Sequence, residues 1–134
     1  MKIHLLTYVA TGLIFLGLDA IWLGLMANRL YRPLLGNLLL PRFEAVPASL
    51  FYLLYVAGIV IFAISPAIGT GRVVTALWRG AFLGLVAYGT YDLTNQATLK
   101  NWPTILTIAD LSWGATLTGL SASLGYLVAR ALSR

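Results

Sequence analysis

Four apolar runs, each long enough to cross a bilayer, take up nearly all of this 134-residue chain. A helix rises 1.5 Å per residue, so about 20 residues traverse a hydrocarbon core roughly 30 Å thick. The runs predict helices over about 3–28, 48–68, 80–99 and 103–130 in a single transmembrane domain covering 1–134. The expected fold is therefore all-α, a polytopic four-helix bundle in a membrane. Soluble chains are near half apolar and a quarter charged; here 60% of residues are hydrophobic and 10% charged, with a mean hydropathy of +0.87.

The first run is too long for a cleaved signal. Asn28-Arg29-Leu30-Tyr31-Arg32 follows it where a cleavage site would need small residues, so it reads as a retained helix. The second run carries no charge; Pro47 suits a first helical position, and Ser65-Pro66 stands near the exit. Lys100-Asn101-Trp102-Pro103 is a turn, short enough to make the third and fourth helices antiparallel neighbours. Arg29 to Val46 mixes Arg29, Arg32 and Arg42 with leucines broken by Gly36 and Pro41, which fits an interfacial segment between helices 1 and 2.

There are 9 Lys and Arg against 4 Asp and Glu, and the basic residues stand at the ends of apolar runs. They form no stripe interleaved with stacking aromatics, so nucleic acid is not an expected partner; membrane lipids with anionic headgroups are. The absence of cysteine excludes disulfides, thiolate metal sites and iron–sulfur clusters. His4 is the sole histidine, which excludes a bis-histidine haem within one bundle. No metal or cofactor is expected, and any catalysis would rest on carboxylates, tyrosines and amides. An even number of spans puts both termini on one side, with Lys2, Arg72, Arg79, Arg130 and Arg134 against Arg29, Arg32, Arg42 and Lys100. That small excess favours cytoplasmic termini.

Three carboxylates interrupt the apolar runs: Asp19, Asp92 and Asp110. An ionised side chain at the bilayer centre costs at least about 3 kcal/mol, so such residues point to function by default. Asp19 precedes Arg29 by ten positions, Asp92 precedes Lys100 by eight, and Asp110 follows Pro103 by seven. These spacings are depths of roughly 15, 12 and 10 Å from the same membrane face. The three therefore lie at similar depth in the leaflet away from the termini, and the cost of a lipid-facing carboxylate favours inward rotation.

Neighbouring residues suit a shared polar site. Tyr88, Asp92, Asn95 and Gln96 form one helical stripe of hydroxyl, carboxyl and amides that could hold a polar ligand or pass a proton. Asp19 and Asp110 each have an indole three residues on, Trp22 and Trp113, on the same helix face. The structural alternative is that each aspartate merely hydrogen-bonds a neighbour and locks helix packing; similar depth for all three weighs against it. Trp102 reads as an interface anchor, and Tyr52 and Tyr55 as packing or interface residues. Gly80 and Gly84, and more loosely Gly114 and Gly119, offer small faces for close helix approach, within the chain or in a homo-oligomer.

Leu18-Asp19-Ala20-Ile21-Trp22-Leu23-Gly24, Phe51-Tyr52-Leu53-Leu54-Tyr55, the block Tyr91-Asp92-Leu93-Thr94-Asn95-Gln96-Ala97-Thr98-Leu99, Asn101-Trp102-Pro103 and Asp110-Leu111-Ser112-Trp113-Gly114 carry a resemblance. In these the chain resembles a bacterial family of predicted four-helix membrane proteins catalogued as a domain of unknown function. The resemblance covers nearly the full chain and implies fold and location, an integral protein of the bacterial cytoplasmic membrane. It implies no activity or substrate.

Two functional classes follow from the residues. One is a binding or transport module for a cation, proton or amine-bearing amphiphile, centred on Asp92 and flanked by Asp19 and Asp110, with Asn95 and Tyr88 orienting it. The other is a membrane-embedded enzyme using paired aspartates as acid and base on a lipid or isoprenoid-like substrate, Trp22 and Trp113 stabilising a carbocation. A duller third is an accessory subunit whose aspartates pair with a partner in a larger membrane complex.

Overall fold

The computed structural model describes residues 2–134, among which every regular element is helical. Three helices, α1 (Lys2–Leu38), α2 (Ala45–Thr70) and α3 (Val73–Thr98), are each long and apolar enough to cross a membrane. The fourth, α4 (Thr104–Leu132), has the length at 29 residues but more polar positions, Thr107, Asp110, Thr118 and Ser121 among them, all buried. Its place explains this: α3 and α1 pack along it, and α2 closes the bundle against all three. A helix so packed meets lipid along one face, through Ile105, Ile108, Leu120, Leu124 and Leu127, and its other faces need less apolar surface.

The outside of the bundle is apolar, with Leu13, Leu54, Ile61, Phe82 and Ile108 all exposed. Such a surface suits hydrocarbon as solvent. Outward hydroxyls are satisfied within their own helix: Thr90 donates to the Val86 carbonyl at 2.7 Å, and Ser112 to that of Ile108 at 2.8 Å. Back-bonding of this kind removes the cost of placing a hydroxyl in lipid.

Glycines set the α3·α4 seam. A Cβ on Gly84 would drive into the Gly114 carbonyl, and one on Gly114 into the Tyr88 ring. The helix backbones thus touch directly, and the small-residue face of α3 is taken up inside the chain.

Two prolines are handled alike. A π turn at Val60–Ile64 ends two residues before Pro66, and another at Ala27–Tyr31 ends two residues before Pro33. Proline lacks an N–H and crowds the preceding turn, and a wider turn relieves both. Pro66 leaves the Phe62 carbonyl without its usual i+4 donor, and Arg79 of α3 supplies one, Nη1 to O at 3.4 Å. Its guanidinium also lies 5.1 Å from the centre of the Trp78 ring. Arg79 is thereby accommodated within the helix, so α3 starts at Val73, earlier than its charge suggests. Arg79→Met, which keeps the stem and removes the donor, is expected to cost about 1 kcal/mol, read as a lower thermal midpoint in detergent. Adding Pro66→Ala should recover the loss, because residue 66 then provides an N–H.

The chain between α1 and α2 is largely helical. α1 continues past its π turn through Arg32–Leu35 to a 3-10 turn at Gly36–Leu38, and only 39–44 are irregular. The connection from α2 to α3 is tight because Gly71 takes a left-handed conformation, φ 70°, closing α2 with its N–H on the Ala67 carbonyl at 2.8 Å.

Candidate functional site

Asp19, Asp92 and Asp110 line one cavity of about 520 Å³. All four helices contribute to its wall: Asp19 and Tyr31 from α1, Tyr52 from α2, Tyr88 and Asp92 from α3, Asp110 and Trp113 from α4. It lies toward the end of the bundle where α4 begins, with Trp102 of the α3–α4 connection in its wall. The antiparallel α3 and α4 bring the Asp92 carboxyl against that of Asp110.

The carboxyls differ in how they are satisfied. Asp19 accepts from the Tyr52 hydroxyl at 2.6 Å and from Trp113 Nε1 at 3.4 Å. Asp110 accepts from the Tyr31 hydroxyl at 2.5 Å, and Tyr31 in turn accepts from Trp22 Nε1 at 2.9 Å. Asp92 is the most deeply placed, 1% exposed against 8% for Asp19 and 9% for Asp110. Its Oδ1 has no hydrogen-bond partner. A buried polar oxygen without a donor is costly, so it marks where a ligand donor or cation would gain most.

The two indoles tie the site together. Trp22 and Trp113 stack with ring centres 4.6 Å apart and planes 8° from parallel. Each same-helix pair, Asp19 with Trp22 and Asp110 with Trp113, is exchanged across the α1·α4 contact. Trp113 serves Asp19, and Trp22 serves Asp110 through Tyr31. Spacing of i+3 puts carboxyl and indole on one face, but the partner is on the facing helix.

The stripe on α3 divides. Tyr88 and Asp92 line the cavity, whereas Asn95 and Gln96 are half-buried outside its wall. Gln96 donates to Thr104 Oγ1 at 2.9 Å and so fastens the end of α3 to the start of α4. These two amides lie in the last turn of α3, beyond the depth of the carboxyls.

Tyr31 and Tyr52, the donors to Asp110 and Asp19, are the site residues that sequence reasoning missed. Tyr52 reads from sequence as a packing or interface tyrosine, and its spacing gave no link to Asp19. Tyr31 stands among the arginines of an apparent interfacial segment, and the π turn at Ala27–Tyr31 turns it inward. Pro33 two residues on was the available signal. Tyr55 is also internal, its hydroxyl 2.8 Å from Thr118 Oγ1. Trp102 is half-buried, donating to Thr107 Oγ1 at 3.0 Å.

Seven of the cavity's lining residues are aromatic, three are acidic and none is basic. Among the described residues no three His, Cys, Asp or Glu are gathered as they would be to hold a metal ion. The carboxyls are spread around an aromatic wall.

Neither the curated proteins nor the solved structures contain a match to the chain. A family model does match, over residues 4–127, nearly the whole length of the bundle. It spans all three aspartates and the elements that surround them, and the chain belongs to the family it describes, Predicted membrane protein (DUF2177).

Proposed function

We propose that the protein binds an organic cation, an amine-bearing amphiphile, in the cavity between its four helices. The observation that carries this reading is the lining itself: three carboxyls, seven aromatic rings and no basic residue around about 520 Å³. Carboxylates attract a cation, aromatic faces bind ammonium groups, and the volume is that of a drug-sized ligand site. A proton or bare ion would need far less space. Asp92 is the carboxyl with most to gain from an ammonium, because its buried Oδ1 has no partner. Asp19 and Asp110, held by Tyr52, Trp113 and Tyr31, set the field around it. We assign the protein to the bacterial cytoplasmic membrane, where anionic headgroups would meet the basic residues at its helix ends.

A second reading, acid–base catalysis on a lipid, draws on the contact between the Asp92 and Asp110 carboxyls. Both can be tested on purified protein in maltoside micelles. Trp102 and Trp113 line the cavity and report on its contents. Titration with dodecyltrimethylammonium is expected to change tryptophan emission saturably at one site per chain. A linear, unsaturable change equal to that of free tryptophan would overturn the binding reading. Turnover of membrane lipid by the same preparation, lost in Asp92→Asn, would replace it with the catalytic one.

A further inference from the structure

A second cavity of about 550 Å³ adjoins the first and shares Leu23, Tyr31 and Leu39 with it. Its chemistry is different. Arg32 is its one charged lining residue, set among Leu23, Ala27, Leu39, Leu40 and Pro41. Tyr31 and Arg32 are consecutive, yet the π turn ending at Tyr31 sends the tyrosine hydroxyl to Asp110 while Arg32 stays exposed at the second cavity. π turns within helices recur where side chains are re-aimed for function. Gly36, at φ 52° and ψ −119°, a combination open to glycine, then ends the α-helical part of α1, and Leu39, Leu40 and Pro41 follow along the second cavity.

The two spaces thus set three carboxyls and one guanidinium on either side of one tyrosine, with Leu39, Leu40 and Pro41 lining the second. Resting on the reading of the carboxyl cavity as a cation site, we infer that the paired cavities hold a zwitterionic phospholipid of the surrounding membrane. Its ammonium lies among the aspartates, its phosphate on Arg32, and its chain over Leu39 and Leu40. A guanidinium binds phosphate through paired, charge-assisted hydrogen bonds, and an exposed arginine beside lipid is well placed to do so. An anionic lipid would satisfy Arg32 but gain nothing from the carboxyls. A simple amine would do the reverse.

The test uses matched amphiphiles of one chain length on the full chain in maltoside micelles: dodecylphosphocholine, dodecyltrimethylammonium and dodecyl phosphate. Dodecylphosphocholine is expected to bind about tenfold tighter than dodecyltrimethylammonium, the worth of one charge-assisted interaction. Arg32→Gln, at an exposed position, should abolish that difference and leave dodecyltrimethylammonium affinity unchanged, while Arg32→Lys should retain part of it. Dodecyl phosphate should bind more weakly than either. Equal affinity for the first two ligands in the unaltered protein, or an equal loss for both in Arg32→Gln, would overturn the zwitterion assignment while leaving the cation site standing. Failure of both cationic ligands to bind would instead remove the cation site on which it rests.

Discussion

Asp92→Asn is expected to lower affinity for an alkylammonium by roughly 10- to 100-fold while leaving the fold intact or more stable. The direction follows from the carboxyl's surroundings. Asp92 is 1% exposed, and its Oδ1 meets no donor. Without ligand its Oδ1 forfeits solvation with nothing in return, and a neutral amide of the same shape, which can still donate to the Asp110 carboxyl beside it, removes that burden. With an ammonium bound, the same carboxyl supplies a charge-assisted contact worth about 1.5–3 kcal/mol, which the amide loses. Affinity and stability should therefore move in opposite senses. A structural aspartate would behave otherwise: its removal would lower the thermal midpoint and leave ligand titrations unchanged. Asp19→Asn offers a contrast, because Tyr52 and Trp113 both donate to it. That variant should lose stability as well as affinity.

The largest effect on folding is expected at Gly84. A Cβ there collides with the Gly114 backbone carbonyl and Thr118 Oγ1, and backbone cannot rotate away as a side-chain tip can. Gly84→Leu should force α3 and α4 apart, at a cost above about 3 kcal/mol, the upper end of the range for overpacking. Because that seam also sets the Asp92 and Asp110 carboxyls against each other, ligand binding should be lost with it. Size-exclusion profile and thermal midpoint in detergent read the first loss, tryptophan titration the second. Gly17→Ala and Gly58→Ala are the controls, since a Cβ at either meets nothing within 4 Å. Both should fold and bind normally.

What the sequence made legible was whatever depends on spacing along one helix. Apolar run length placed the helices, and distances from flanking charges put Asp19, Asp92 and Asp110 at a common depth. Facing is a different quantity. It is set here by direct backbone contact at Gly84 and Gly114, by the path of α2 and by the π turn before Pro33. The glycine spacing marks small faces but not which helix each lies against, and the path of α2 and the π turn leave no periodic trace. The indoles show the distinction clearly: Trp22 and Trp113 share a face with their own aspartates, as counting implies, yet each hydrogen-bonds toward the aspartate of the other helix. Gln96 marks the same limit, because the stripe rule ignores that α4 starts beside it at Thr104. Tyr31 required knowing that one turn of α1 is wider than the rest.

Locating the ligand tests the cation site most directly. A dodecylammonium carrying a diazirine beside its nitrogen, photolysed with the purified protein and mapped by mass spectrometry, should label residues 88–92 and 110–113. Excess dodecyltrimethylammonium should suppress that labelling, and Asp92→Asn should reduce it. Labelling spread over lipid-facing residues such as Ile61, Phe62 and Phe82, unaffected by competitor or by the substitution, would contradict the account.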